Sequence, residues 1–174
     1  MPDNQSNTEK TLTYKELFRK IKFYHPAHWL AFGFGTGLFP KAPGTLGSLA
    51  AIPIIYWASM LPTPIYSLLL TPTILIGIWV CKRASEDLGV HDHPAIVWDE
   101  IAGMMITFMA VPFTLPNLII GFLLFRFFDI LKPWPVRWAD KSISGGLGIM
   151  LDDVIAGIMA SLLMQGALYL GFLV

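Results

Sequence analysis

Apolar residues run through this chain in long blocks, broken by short polar stretches, and not in the alternation of a half-buried strand. Residues 42–81, 101–125 and 154–174 carry no Asp, Glu, Lys or Arg. A helix that spans a bilayer takes about 20 apolar residues, within a range of about 17–25. Leu61-Pro62-Thr63-Pro64 splits the first block as a tight turn, and Pro112 and Pro116 interrupt the second. The pattern therefore predicts about five membrane segments, at 45–61, 65–81, 95–113, 117–132 and 152–174. The predicted fold class is all-α, a polytopic helical membrane protein.

The polar stretches have their own character. Residues 1–12 read as a mobile N-terminus, followed by one membrane-embedded domain over 13–174. Thr13-Tyr14-Lys15-Glu16 fits a capping box, in which Thr and Glu each satisfy a free amide of the other. Leu17, Ile21 and Tyr24 then recur at helical spacing, which predicts an amphipathic helix, lying on the membrane surface or packed on the loops. Trp29 to Phe39 is apolar but holds Gly33, Gly35 and Gly37 and is too short to span. It reads as a re-entrant segment, tolerable where protein or water covers its backbone. The stretch from Lys82 to Val90 reads as a solvated helical loop, with Glu86 placed to pair with Lys82 or Arg83.

Composition agrees with the block pattern. Hydrophobic residues make up 55% and charged residues 14%, against about 45–50% and about 25% in soluble domains. A net charge of zero with no basic stripe argues against nucleic acid as a partner. Cys81 is the single cysteine, so it offers neither an intrachain disulfide nor a thiolate set for zinc, and it reads as a packing residue. No signal-peptide pattern opens the chain. The turns near Pro62 and Pro112 carry no charge, whereas Lys15, Arg19, Lys20, Lys22, Lys41, Lys82, Arg83, Lys132, Arg137 and Lys141 all fall on the other side. The positive-inside rule makes that side cytoplasmic and leaves the C-terminus outside.

The same folding-over gathers the acids at the cytoplasmic face. His91-Asp92-His93 precedes the third segment and Trp98-Asp99-Glu100 lies near its cytoplasmic end, Asp129 lies between Arg126 and Lys132 on the fourth, and Asp152-Asp153 opens the fifth. Ionisable groups against hydrocarbon are costly, so their default reading is a functional site. Singly, each acid reads as an ion pair or helix cap. Together, Asp99, Glu100, Asp129, Asp152 and Asp153 exceed what Arg126 and Lys132 neutralise, and a hard cation with oxygen ligands, Mg²⁺ before Ca²⁺ or Zn²⁺, would balance them. Pro43-Gly44-Thr45-Leu46-Gly47-Ser48 opens the first segment, where free amides and the hydroxyls of Thr45 and Ser48 suit an anion, although an ordinary capped start with Thr45 as N-cap reads equally well. Arg126, Lys132 and Arg137 add cationic groups for a phosphate. Phosphate-ester hydrolysis is the matching chemistry, with His91 or His93 to move a proton and Asp92, Asp99 and Asp129 in the catalytic set. Water and an aspartate remain alternative nucleophiles. Trp98, Trp134 and Trp138 read as interfacial anchors.

These residues carry a resemblance. Gly33-Phe34-Gly35-Thr36-Gly37, Pro43 to Ala51, His91-Asp92-His93, Ile96 to Glu100, Asp129 with Lys132 to Trp138, and Gly145 to Asp153 together resemble the bacterial phosphatidylglycerophosphatase A family. The resemblance runs in order from His28 to Gly157. It implies a Mg²⁺-dependent inner-membrane enzyme that removes the terminal phosphate of phosphatidylglycerol phosphate. A small cation-coupled transporter or channel is the alternative, disfavoured because the acids crowd one end of the segments and not the bilayer midplane. A CDP-alcohol phosphotransferase and a histidine-dependent lipid phosphatase are disfavoured because their motifs are missing. Oligomeric state stays open.

Overall fold

The computed structural model describes residues 14–22 and 24–173, with side chains from residue 16 onward. The expected mobile stretch at 1–12 and the Thr13 half of the capping box lie outside these residues. Within them the protein is all-helical: α1 (Tyr14–Lys20), α2 (Pro26–Ala31), a 3₁₀ turn (Gly33–Leu38), α3 (Pro43–Ser59), α4 (Thr63–Leu88), α5 (Trp98–Thr107), α6 (Leu115–Leu131), α7 (Val136–Ser142) and α8 (Gly145–Tyr169). Two of these helices, α4 and α8, are long and apolar enough to cross a membrane.

Several boundaries differ from the sequence reading. Helix α4 runs unbroken through Lys82 to Leu88 and ends where Gly89 adopts a left-handed conformation (φ 72°), so the hydrophilic stretch is helical as expected and carries α4 beyond residue 81. Lys82 does approach Glu86, at 3.9 Å. The expected third span at 95–113 is α5, only 10 residues long, or about 15 Å at 1.5 Å per residue. Ala110 takes a positive φ (59°) and Pro112 follows, which ends the helix early. Helix α8 begins at Gly145 and not near Asp152. The glycine-rich stretch Trp29–Phe39 is the end of α2 and the 3₁₀ turn.

The short α5 is the centre of the fold. Nine of its ten residues are buried, all but Glu100, and α3, α4, α6 and α8 surround it. Helix α8 meets it through bare backbone. A Cβ on Gly157 would lie 2.5 Å from the Gly103 carbonyl oxygen, and one on Gly103 would lie 2.8 Å from the Asp153 carbonyl oxygen. Only glycine permits that approach. The outward faces of the surrounding helices carry large apolar side chains, among them Trp57, Leu68, Leu75, Leu123, Ile130 and Leu162. Exposed apolar side chains in such number suit lipid.

The N-terminal arm is fastened to the end of α4. Leu17 and Ile21 are buried. Buried His28 places Nε2 3.0 Å from Asp87, which also pairs with Lys22 (2.7 Å) and Arg83 (3.3 Å), while His28 Nδ1 accepts the Lys22 backbone N–H. The arm then reaches α5: the Val97 N–H donates to the Ala31 carbonyl at 2.8 Å, one residue before the helix starts.

Candidate active site

The glycine contact sets the carboxylates. Gly103 and Gly157 each lie four residues, close to one helical turn, after Asp99 and Asp153, so the close approach of α5 and α8 brings those two acids together on facing sides. Oxygens of Asp99, Glu100 and Asp153 all lie within 4.8 Å of one another. Asp99 and Asp153 are buried, and Glu100 is nearly so, with its side chain 13% exposed. Asp99 Oδ1 and Glu100 Oε2 have no hydrogen-bond partner. Buried carboxylate oxygens left bare are expensive, and an all-oxygen donor set of this kind suits a hard divalent cation. The residues present therefore fit such an ion.

A cationic flank lies on one side of this group. Arg126 on α6 pairs with Asp129 at 2.5 Å and approaches Glu100 at 3.9 Å. Its NH1 also donates to Ser48 Oγ at 3.4 Å, and its Nε is buried without a partner. The first turn of α3 closes on the same spot: a Cβ on Gly44 would lie 2.3 Å from Glu100 Oε1 and 3.2 Å from Arg126 NH1. Thr45 lies in that turn, half-buried, but it is not the N-cap; Ala42 is, with a left-handed backbone (φ 49°) and no side-chain cap bond. Ser48 is fully buried and donates to the Gly44 carbonyl at 2.9 Å.

On the other side is a polar cavity of about 250 Å³, lined by His91, Asp92, Asp140, Gly148, Ile149 and Asp152. Asp152 does not stand at a helix start, as the sequence reading had it, but in the third turn of α8, so no terminal dipole acts on it or on Asp153. Lys132 is not on a stripe with Arg126 and Asp129. It ends α6 in a left-handed conformation (φ 43°) and swings to Asp152 (2.7 Å) and Asp140. Both acids pair with the Lys132 amine.

The remaining candidates are spread more widely. His91 Nε2 accepts the Gly145 N–H at 2.7 Å, tying the cavity rim to the start of α8. His93 is buried, its Nδ1 accepts the Ala95 N–H at 3.1 Å, and burial lowers its pKa; it is not among the cavity-lining residues. Arg137 is exposed on α7. Trp98 is buried, with Nε1 donating to the Thr73 carbonyl at 3.0 Å, so it is no interfacial anchor, whereas Trp134 and Trp138 are exposed. Cys81 is buried as expected. Asp140 was not singled out from the sequence; its partner Lys132 lies eight positions away, across the break between α6 and α7.

Fold and site together define an all-helical, membrane-type protein with an acidic centre that fits a divalent cation beside an arginine. Comparison with known proteins gives the family. A family model described as Phosphatidylglycerophosphatase A matches residues 29–168. The Phosphatidylglycerophosphatase A of Escherichia coli (strain K12) is 49% identical over 143 residues, covering 82% of this chain and 83% of its own length. That of Haemophilus influenzae is 43% identical over 151 residues, covering 86% of this chain and 93% of its own. A Bacteroides thetaiotaomicron relative, 39% identical over 147 residues (78% of this chain and 89% of its own), is provisionally named a phosphatidylinositol-3-phosphatase. No solved structure matches the chain. The chain belongs to the phosphatidylglycerophosphatase A family, a family of phosphatases.

Proposed function

We propose that this protein hydrolyses the terminal phosphomonoester of phosphatidylglycerol phosphate to phosphatidylglycerol and inorganic phosphate, with Mg²⁺ held by Asp99, Glu100 and Asp153. The observation that carries the reading is the placement of three converging carboxylates, two with bare buried oxygens, against Arg126 and the first turn of α3. The names of the relatives supply the substrate. In this reading a bound Mg²⁺ supplies Lewis-acid stabilisation of the charge on the phosphoryl oxygens.

The chain's own residues do the rest. The Arg126 guanidinium and the free first-turn amides of α3, with Thr45 and Ser48 beside them, orient the phosphate. Asp129 holds Arg126 in place from one turn away and borders Asp153. Water attacks phosphorus, the bond to the glycerol oxygen breaks, and a proton passes to the departing alcohol. His91 and Asp92, on the cavity side, are the groups placed to carry protons, while His93 holds the turn before α5. Lys132 supports the site through Asp152 rather than by touching phosphate, and Arg137 meets the substrate's outer phosphodiester at the surface.

In the bilayer we place five passes: α3, α4, α5 with its following turn, α6 and α8. The short α5 completes the third through residues 108–114, which share a cavity with the α3–α4 turn (Leu61, Thr63, Phe108, Val111). The acidic centre then faces the cytoplasmic leaflet of the bacterial inner membrane, where the basic residues lie. The test is phosphate release from phosphatidylglycerol phosphate in detergent micelles by the purified protein. Release should need Mg²⁺, stop with EDTA and fall at least 100-fold in Asp99→Asn. Undiminished release under EDTA would end the metal assignment, and no release from any lipid phosphomonoester would end the enzyme assignment.

A further inference from the structure

Helices α3 and α4 both lean on α5 but barely touch each other. The gap between them is an apolar groove of about 420 Å³, within the ~300–1,000 Å³ of ligand pockets. Ile54 and Ala58 of α3 line one side, Leu69 and Ile76 of α4 the other, and Trp98 and Met105 of α5 the base. Ala58 and Met105 are buried, whereas Leu69 and Ile76 are exposed, so the groove opens outward. No charged residue lines it, and two of its three polar side chains are spent on nearby backbone. The Trp98 indole N–H donates to the Thr73 carbonyl at 3.0 Å, and the Thr73 hydroxyl turns back to the Leu69 carbonyl at 2.9 Å. Such a lining suits hydrocarbon and offers a peptide or headgroup little to bond.

The place where the groove begins decides which hydrocarbon. Trp98 lines it, and Asp99, the next residue, belongs to the acidic centre. Helix α3 likewise serves both. Gly44 approaches Glu100 and Arg126, Ser48 accepts from Arg126, and Ile54 enters the groove six residues later. Six residues advance about 9 Å along a helix. A phosphomonoester held at the acidic centre therefore has its lipid end delivered toward the groove, with that distance left for the headgroup. Boundary lipid of any kind can fill a gap between helices, but only a lipid carrying a terminal phosphate is tied to both places.

We infer that the groove between α3 and α4 takes one acyl chain of the substrate, so that the enzyme holds its lipid at two points, the terminal phosphate and a chain. The inference rests on the proposed reading of the acidic centre as the phosphate site. A groove left unfilled forfeits dispersion contacts along its walls. A chain seated there regains them and fixes the depth at which the headgroup meets Asp99 and Arg126.

The test uses an analogue that cannot be cleaved: phosphatidylglycerol phosphate with a phosphonate in place of its terminal phosphate and a diazirine midway along one 16-carbon chain. It is irradiated with the wild-type, full-length protein and Mg²⁺ in phosphatidylcholine nanodiscs, beside a phosphatidylcholine probe bearing the same diazirine. The analogue should label residues 54–61 and 69–76 at least 5-fold more than the phosphatidylcholine probe does. Equal labelling by the two would make the groove a seat for boundary lipid and overturn the inference. Kinetics supply a second arm. Ile76→Trp, which fills the open side of the groove, should lower kcat/KM at least 10-fold for 16-carbon phosphatidylglycerol phosphate and less than 2-fold for the 6-carbon form, whose chains are too short to fill it. Leu75→Trp, exposed and outside the groove, should change neither. Equal loss on both chain lengths in the folded Ile76 variant also overturns the inference; where that variant does not fold, Leu69→Trp takes its place. Selective labelling without phosphate release would sink the proposed function and keep a groove for a phosphate-bearing lipid, and phosphate release without selective labelling would do the reverse.

Discussion

Replacing Gly157 by alanine should cost activity far out of proportion to one methyl group. The added Cβ would lie 2.5 Å from the Gly103 carbonyl oxygen and 3.1 Å from Gly103 C and Cα. Those atoms are backbone within a helix, so no side chain can rotate away. Restoring ordinary contact at about 3.4 Å needs a separation of about 0.9 Å between α5 and α8, and overpacking of this kind costs about 1–3 kcal/mol. The same movement opens the distance between Asp99 and Asp153, one turn away. A misplacement of about 1 Å at a catalytic group costs about 100-fold. Gly157→Ala should therefore lower kcat/KM by about 100-fold and lower the melting temperature by several degrees. Gly166→Ala is the control: it lies on the same helix with nothing within 4 Å, and alanine there should leave activity unchanged and the helix slightly more stable. Wild-type kcat/KM and Tm in Gly157→Ala would refute the claim that backbone contact between these helices sets the carboxylates.

Three further outcomes follow from the same geometry. Gly44→Ala should reduce activity about 10-fold with little change in Tm, since the new Cβ meets the movable ends of Glu100 and Arg126; a melting-temperature loss without an activity loss would contradict this. Arg126→Ala strands the Asp129 carboxylate and removes the cationic flank, and KM for the lipid phosphate should rise more than kcat falls. The third concerns His28, whose burial lowers its pKa below 6.5. The unfolded chain then takes up a proton that the folded chain refuses, so His28's contribution to stability is full above pH 6.5 and is lost as pH falls through the folded value. His93 acts with the same sign. Between pH 7 and 5 the wild type should lose Tm, and His28→Gln, which keeps a donor toward Asp87 and does not titrate, should lose less; parallel losses would exclude His28 as the source.

Much of the site was legible because charge inside an apolar chain is rare. Asp99, Glu100, Asp129, Asp152 and Asp153 stand out against charge-free blocks, and the turns at Pro62 and Pro112 fold them to one end. Their grouping was not legible. Which acids converge depends on glycine contacts between α5 and α8, and a glycine in an apolar helix carries no mark of its partner. Hydropathy also hid the true extent of α5, since a helix buried in protein and one crossing lipid share the same composition. Lys132 was misplaced because a left-handed residue at the end of α6 breaks the helical periodicity that the spacing argument assumes. The His28–Asp87 pair joins residues 59 positions apart, beyond the reach of any local pattern.

The early end of α5 has a consequence for sidedness. Asp99, Glu100, Asp153 and Arg126 gather at the start of α5, at the end opposite the turns at Leu61 and Val111, and nothing ionisable continues along the helix beyond Glu100. In the proposed orientation, a molecule in the far leaflet would have no route past this buried plug. In a sealed vesicle with the protein inserted one way, cleavage should stop once the near leaflet is exhausted, and resume only when lipids are made to cross.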